Sequence, residues 1–194
     1  MSKMLSDKIW ITRKSRIYTE QRLLRKNLLS QILITFYSSL LVFLTIWNLK
    51  HPNDQVNILL VIGSIAVLIA SITISSQKYL ERSLAMRNCY IKLDELYSKV
   101  VRAEESKNYE LIQQLESEYT ANILNVENHS DYDYLCLRFS LRNNTNTTLP
   151  EFRKSDYVQY IIENGWRIFL TFFYFILPFA IACLWDIYTN VSIK

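Results

Sequence analysis

Two long runs without a charged residue constrain this chain more than any other feature of its sequence. Residues 27–49 and 55–77 each contain 23 consecutive uncharged residues. As α-helices they would be about 34 Å long, which is enough to cross the hydrocarbon core of a bilayer. A helix in the core of a soluble protein would carry a charged stripe on its outer face, and neither run has one. We therefore predict two transmembrane helices rather than a buried soluble hairpin.

The segment between the two runs predicts a tight turn. Residues 50–54 carry a charge at each end, a proline, and the pair Asn53 and Asp54, whose side chains can cap the N–H groups that begin the next helix. So short a link makes the two helices antiparallel. A signal peptide is excluded, because the first run is too long and follows a charged arm of 26 residues. Residues 27–77 are therefore predicted to form a transmembrane hairpin.

The composition fits a helical membrane protein that also has a polar part. Of the 194 residues, 50% are hydrophobic and 21% are charged, and only 2 are glycine and 3 proline. We therefore expect an all-α membrane protein in which cytoplasmic amphipathic helices extend the transmembrane helical hairpin. Cys89, Cys136 and Cys183 lie far apart, without histidines at ligand spacing. Reduced thiols are expected, with neither a zinc site nor a disulfide framework.

The first 26 residues form a basic arm, with eight Lys or Arg against two acidic residues. By the positive-inside rule, this arm places the N-terminus in the cytoplasm and the turn at 50–54 outside. We expect the arm (residues 1–26) to continue the first transmembrane helix backwards, with its arginines among anionic lipid head groups. Direct nucleic-acid binding is not expected, because orientation and lipid contact already account for the charge.

Polar residues recur at helical spacing within both uncharged runs. In the first run they fall at intervals of four, three and seven residues, and in the second they recur every seven, so each set shares one helix face. Two explanations remain open for these faces: contact with water in a pore, or hydrogen bonds across helix contacts. The candidate pore face consists of Gln31, Thr35, Ser38, Thr45, Asn57, Ser64 and Ser71.

A separate strip of small residues lies on the second run, at Gly63, Ala66 and Ala70. Small side chains let another helix approach closely, so this strip is a candidate helix-packing face. Two or three helices per chain cannot enclose an aqueous lumen, and a pore would therefore require a homo-oligomer.

A cytoplasmic helical region is predicted over residues 78–167. Residues 78–107 are expected to continue the second transmembrane helix, and over 86–100 their apolar residues follow the i, i+3, i+4, i+7 pattern of an amphipathic helix. Residues 109–126 have a matching apolar side. We expect them to fold back against the preceding helix as an antiparallel partner.

The densest polar cluster, residues 127–133, invites an active-site interpretation. It places one histidine beside acidic residues, but it has no nucleophile at a known spacing, no glycine-rich phosphate loop and no second metal-ligand group. A capping loop is favoured instead, with Ser130 or Asp131 as the N-cap of a short helix. We expect no enzyme activity and no cofactor. The candidate region for a partner or signal consists of Glu127, Asn128, His129 and Asp131.

A third apolar run, residues 168–185, contains 18 uncharged residues and is framed by tryptophans. As a helix it would be about 27 Å long. We predict a third, C-terminal transmembrane helix, separated by Gly165 from a surface helix over 150–164 and followed by a tail at 186–194. The alternative is a re-entrant or interfacial helix kinked at Pro178.

The layout of the chain resembles that of the SLATT family of membrane effectors. The resemblance covers about residues 5–165 and comprises the basic arm, the first run, the short turn, the second run and a long tyrosine-rich helix. The last apolar run exceeds the two-span plan of that family. The stretches that carry the resemblance are Trp10, residues 22–26, Tyr37, Ser38, residues 127–129 and residues 131–132.

The resemblance implies a multi-pass protein of the bacterial inner membrane without catalytic residues. Family members occur in bacterial conflict systems beside nucleotide-signal synthases, nucleotide-sensor domains or reverse transcriptases, and are regarded as effectors that permeabilise the inner membrane and stop infected cells. The partner implied here is a nucleotide second messenger, or a reverse transcriptase or nucleotidyltransferase. Two functions remain open: a pore-forming effector of antiviral defence that acts by abortive infection, and a non-conducting membrane anchor or scaffold.

Overall fold

The computed structural model describes residues 4–124, 127–128, 130–143, 149–150 and 152–192, with side chains up to Cys183. All regular structure in these residues is helical, which confirms the all-α prediction. The chain divides after Phe152 into two compact units, and α6 belongs to the second. The helices are α1 (Leu5–Lys50), α2 (Asp54–Ser76), α3 (Tyr79–Glu105), α4 (Tyr109–Leu124), α5 (Asp131–Ser140) and α6 (Lys154–Ser192).

Three stretches of helix are long and apolar enough to cross a membrane, as the sequence predicts. They are α1, the segment formed by α2 and α3, and the described part of α6 up to Cys183. The most apolar window of each has none of its residues buried inside the protein. Apolar helices that bury nothing against their own chain need another apolar medium, and a bilayer provides it. These helices therefore indicate a membrane protein.

The hairpin of α1 and α2 is closed by asparagines. Asn53 is the N-cap of α2, and its side-chain oxygen accepts hydrogen bonds from the backbone N–H groups of Gln55 and Val56, at 2.9 and 3.3 Å. Buried Asn48, two residues before the end of α1, donates its amide to Oδ1 of Asn57 at 2.6 Å and accepts from the backbone N–H of Asn53 at 3.2 Å. The predicted tight turn and its cap are confirmed.

The second helix does not continue unbroken into the cytoplasmic region, so the expectation for residues 78–107 was wrong on this point. Lys78 has φ 49° and ψ 39°, in the left-handed region, and separates α2 from α3. The N–H groups of Gln77 and Lys78 donate to the carbonyls of Ile74 and Ser75, three residues back, at 3.1 and 3.2 Å. A left-handed residue ends a helix because the next N–H can no longer reach the carbonyl four residues earlier.

Gly165 does not separate two helices, because α6 runs through it without interruption. Residues 154–164 of the predicted surface helix and the apolar run at 168–185 therefore belong to one element, which begins at Lys154. A glycine costs a helix only about 1 kcal/mol relative to alanine, which is too little to break a helix whose neighbouring residues favour it. Pro178 also lies inside α6. Proline is tolerated in membrane helices where other groups satisfy the freed carbonyl.

The core of the first unit is built where the first turns of α1 cross α3 and α4. The apolar face that the sequence predicts for α3 is buried. Helix α1 covers most of it, and the expected α4 covers the remainder. Thr12 of α1 also shares a hydrogen bond of 2.8 Å with the hydroxyl of Tyr119 on α4. The buried cluster consists of Leu5, Ile9, Cys89, Leu93, Leu96, Val100, Ala103 and Leu115.

The basic arm is therefore part of a helical bundle, and several of its arginines bind protein groups rather than lying among lipid head groups. Arg13 pairs with Asp94 on α3. Arg16 is 3% exposed and donates to the backbone oxygen of Glu127 at 2.7 Å. The expectation of lipid contact was wrong for these side chains, because sequence alone does not show that acidic groups and carbonyls from distant segments meet this face of α1.

A buried carboxylate joins α5 to α1. Asp133, 1% exposed, receives two hydrogen bonds from Arg22, at 2.8 and 2.9 Å, and a third from Thr19 at 2.9 Å. It also forms a capping box with Ser130, which confirms Ser130 as the N-cap of α5. Burial alone would raise the pKa of Asp133, but the hydrogen bonds from Arg22 and Ser130 and the charge of Arg22 outweigh burial and lower this pKa below its ordinary value.

We predict that Asp133→Asn lowers the free energy of unfolding by about 3 kcal/mol at neutral pH, because it leaves the charge of Arg22 without its buried partner. Asp131→Asn, an exposed change in the same helical turn, is the matched control and should have little effect. The folded pKa of Asp133 is depressed, so its contribution is present above its unfolded pKa and is lost as the pH falls through the folded pKa. Thermal melting followed by circular dichroism across this acid range checks the prediction; equal melting of both variants at neutral pH would contradict it.

The close approach of α2 to α1 at Gly63 leads to a second prediction, on the packing of the hairpin. A Cβ at Gly63 would lie 3.0 Å from Cδ2 of Leu41, whereas a Cβ at Gly165 would meet no described atom within 4 Å. We predict that Gly63→Val destabilises the hairpin by about 1–3 kcal/mol through overpacking. Gly165→Val is the control and should melt near the wild-type temperature. A lower melting temperature for Gly165→Val than for Gly63→Val would show that this contact does not limit the packing.

Candidate functional site

The candidate pore face of α1 lies on the outer surface of the hairpin. Gln31, Thr35 and Thr45 are exposed, and Ser38 is half-buried. The Thr45 hydroxyl donates to the carbonyl of Leu41 at 2.8 Å, within its own helix. Within one chain, therefore, this polar face is not covered by α2, although the helix around it is apolar.

The polar residues of α2 do not all belong to one surface. Asn57 is engaged at the closed end of the hairpin, where its side chain accepts from Asn48 at 2.6 Å. Ser64 is exposed and donates to the carbonyl of Leu60 at 2.7 Å, and Ser71 is half-buried. Serine and threonine in helices commonly bond to the carbonyl one turn back, and a hydroxyl satisfied in this way tolerates either lipid or water.

The strip of small residues on α2 is divided between two environments. Gly63 lies against Leu41 of the same chain, whereas Ala66 and Ala70 are exposed. The close approach at Gly63 therefore belongs to the hairpin itself. The two alanines leave a smooth surface against which a helix of another chain can pack closely.

The candidate region for a partner or signal is attached to both α1 and α3 through Glu127. Its carboxylate pairs with Arg82 on α3 at 2.7 Å, and its backbone oxygen accepts from Arg16 on α1. Asp131 is exposed at the start of α5, Asn128 is also described, and His129 lies outside the described residues. The structure thus brings Glu127 and Asp131 to one end of α5, beside the buried Asp133.

Sequence reasoning missed a polar row on α1 that connects this region with α3 and α5. Besides Arg16, Thr19 and Arg22, it includes Glu20, which is 5% exposed and accepts from Nε of Arg87 at 2.7 Å. The hydrogen bond and the charge of Glu20 raise the pKa of Arg87. The pKa of Tyr90 is raised first by its own burial and then by the hydrogen bond and charge of Glu20. The available signal was the three- and four-residue spacing of these polar side chains within an arm otherwise attributed to lipid contact.

One continuous helix carries both the polar row and the candidate pore face. Helix α1 extends over 46 residues, and Arg22 precedes Gln31 by nine positions. At 1.5 Å per residue the two lie about 14 Å apart along one axis. No break in the helix separates the polar row from the candidate pore face.

The described side chains offer little chemistry for catalysis. No group of three or more His, Cys, Asp or Glu residues arranged to hold a metal ion occurs in the part of the chain that the structure describes. Cys89 is buried, and burial raises the pKa of its thiol, which keeps it protonated and unreactive.

Comparison with known proteins assigns the chain to a family. The family described as "SMODS and SLOG-associating 2TM effector domain family 5", or SLATT_5, matches residues 1–184. No curated protein and no solved structure matches the chain. The family name specifies two transmembrane helices, whereas three helices here are long and apolar enough to span, and the match identifies no catalytic domain. Because the match covers nearly the whole sequence, the chain belongs to the SLATT family of membrane effectors that associate with SMODS and SLOG components.

Proposed function

We propose that this chain is an oligomeric pore-forming effector of a bacterial antiviral defence system, which permeabilises the inner membrane and so stops the infected cell. The observation that carries the proposal is that Gln31 and Thr35 lie uncovered on an otherwise apolar hairpin. An amide or hydroxyl moved from water into hydrocarbon without a partner costs about 4–8 kcal/mol. Contact with other copies, with water, or with both offsets this cost.

We propose that the pore is a homo-oligomer of at least four chains. Two or three helices of one chain cannot surround a water-filled lumen, and in this proposal each chain contributes one lumen-lining helix, α1. The exposed alanines Ala66 and Ala70 offer a close-packing surface on α2, a helix in which no residue is fully buried. In the assembled pore, the polar face of α1 would line the lumen and the small strip of α2 would contact a neighbour.

Control of the pore is proposed to act through the polar row of α1. A signal or partner that contacts the segment around Glu127 and Asp131 would disturb the contacts of Arg16 and Arg22, and the continuous α1 would carry the disturbance into the membrane. The association of the family with SMODS and SLOG components supports a nucleotide second messenger as that signal. A reverse transcriptase or nucleotidyltransferase is the alternative partner.

A second function, a non-conducting membrane anchor for a cytoplasmic partner, is favoured by a different observation. The hydroxyls of Thr45 and Ser64 bond to carbonyls of their own helices and so require no water. In that case the cytoplasmic bundle would be the functional part, and the hairpin would only hold it at the membrane.

The proposed topology places the N-terminus and the helical region at 78–167 in the cytoplasm, and the turn at Asn53 outside. In a chain whose three cysteines are replaced by serine, a membrane-impermeant maleimide added to intact cells should label Asn53→Cys but not Gln113→Cys, an exposed position on α4. Disruption of the cells should make both accessible. Labelling of Gln113→Cys alone in intact cells would show that the chain has the opposite orientation.

The pore itself predicts a specific pattern of leakage from liposomes. Thr35→Leu and Ser38→Leu should bring dye release close to the rate of protein-free liposomes while the oligomer still forms, because a leucine narrows and dewets the lumen. Phe43→Leu, an exposed apolar position of the same helix outside the polar face, is the control and should leak like the wild type. Release and particle mass are measured on the same preparations.

Three further results separate the pore from the anchor. If the polar face packs helices instead of lining water, Ser38→Ala should disrupt assembly as much as Ser38→Leu. Joint replacement of Ala66 and Ala70 by leucine should weaken assembly and leave insertion intact. Two results would contradict the pore and favour the anchor. One is unchanged leakage in both leucine variants of α1, and the other is the presence of only monomers under conditions in which leakage occurs.

A further inference from the structure

Cations from three parts of the chain lie near one another where α2 ends. Nζ of Lys26 on α1 lies 5.8 Å from the ring centroid of Tyr79, and Cζ of Arg82 on α3 lies 5.9 Å from the same centroid. Lys78 directly precedes this tyrosine. Lys26 and Lys78 are also the charged residues that border the two uncharged runs. The group therefore lies at the level where the proposed membrane-spanning segments meet the cytoplasm.

A groove opens beside Lys78 on the membrane side of this group. It is shallow and largely open, with a volume of about 500 Å³, and is lined by Ser71, Ile72, Ser75, Ser76 and Lys78. Lys78, Ser75 and Ser76 lie at the end of the lining next to the break, and Ile72 and Ser71 lie about one turn further along α2 towards the proposed bilayer. The ammonium and hydroxyl groups beside the break suit the negatively charged end of a ligand, and Ile72 offers an apolar contact to its tail.

The ammonium group of Lys78 keeps hydrogen-bonding capacity for an anion. It forms an ion pair of 3.3 Å with Glu81, but its side chain is 65% exposed and an ammonium group has three donors. The side chain of Arg82 is only 37% exposed and its ion pair with Glu127 is shorter, at 2.7 Å, so it contributes less. The charge that faces an approaching anion therefore comes mainly from Lys78, with Lys26 nearby on α1.

The left-handed conformation of Lys78 places this charge at the groove. Because α2 stops at Ser76, Lys78 lies in the break between two helices and outside the regular face of either. The hydroxyl of Ser76 donates back to the carbonyl of Thr73 at 2.7 Å, which leaves the exposed Ser75 as the hydroxyl next to the break.

We propose that this groove binds the head group of an anionic phospholipid of the cytoplasmic leaflet. The phosphate oxygens would accept from Lys78 and Ser75, and an acyl chain would lie along Ile72. The inference rests on the membrane insertion and orientation contained in the proposed function, and it does not depend on pore formation. It assigns the lipid contact to the break between α2 and α3, while the basic arm uses Arg13, Arg16 and Arg22 within the bundle.

Native mass spectrometry of the full chain, with added phosphatidylglycerol or phosphatidylcholine, tests the site. Lys78→Gln should weaken phosphatidylglycerol binding about fivefold, the effect of removing one interfacial cation. Lys107→Gln is a matched control, because Lys107 also has a positive φ, of 54°, but lies in the turn between α3 and α4. It should bind like the wild type. Ser75→Leu keeps the charge but fills the groove, and should weaken binding as well.

Three outcomes would overturn the proposal: equal phosphatidylglycerol affinity for Lys78→Gln and wild type, equal affinity of the wild type for both lipids, or complete displacement of phosphatidylglycerol by inorganic phosphate. The last would mean that the site takes a free anion. Resistance of every variant to alkaline carbonate extraction measures insertion separately. If the wild-type chain is extracted, the proposed membrane function fails; if it resists extraction and Lys78→Gln binds lipid normally, only this inference fails.

Discussion

The continuity of α1 is the constraint on which the remainder of the structure depends. Its first half is held in a bundle by Arg16, Arg22 and buried apolar residues, while its second half has almost no buried side chain and requires lipid. A helix keeps its hydrogen bonds in both media, because each N–H finds its partner within the same segment. The helix that binds α3 and α5 is therefore the same helix that enters the bilayer, with no linker between them.

The features that could be predicted from the sequence depend on local chemistry. Uncharged runs locate the spans because a charge in hydrocarbon is costly, and Asn53 and Ser130 are identified as caps because their short side chains reach the free N–H groups of the next turn. The buried face of α3 follows from its period. Each of these needs only a few neighbouring residues.

The features that sequence reasoning missed depend on contacts between distant residues or on a single backbone angle. Asp133 and Arg22 are 111 residues apart, and no local pattern shows that they meet. Lys78 adopts a positive φ although lysine has no preference for it, and Gly165 stays helical although glycine disfavours it. For the candidate pore face the sequence places Thr35 and Ser38 on one side of a helix, and the structure leaves Thr35 exposed and Ser38 half-buried.

Because of the break at Lys78, the two helices of the hairpin are joined differently to the rest of the chain. When the hydrophobic thickness of a bilayer differs from that of a helix, the helix tilts to compensate. The backbone hydrogen bonds of α2 and α3 are interrupted at Lys78, whereas those of α1 continue unbroken from the bundle into its apolar half. A tilt of α1 would therefore strain the contacts of Glu20 with Arg87 and of Asp133 with Arg22, which join its first half to α3 and α5.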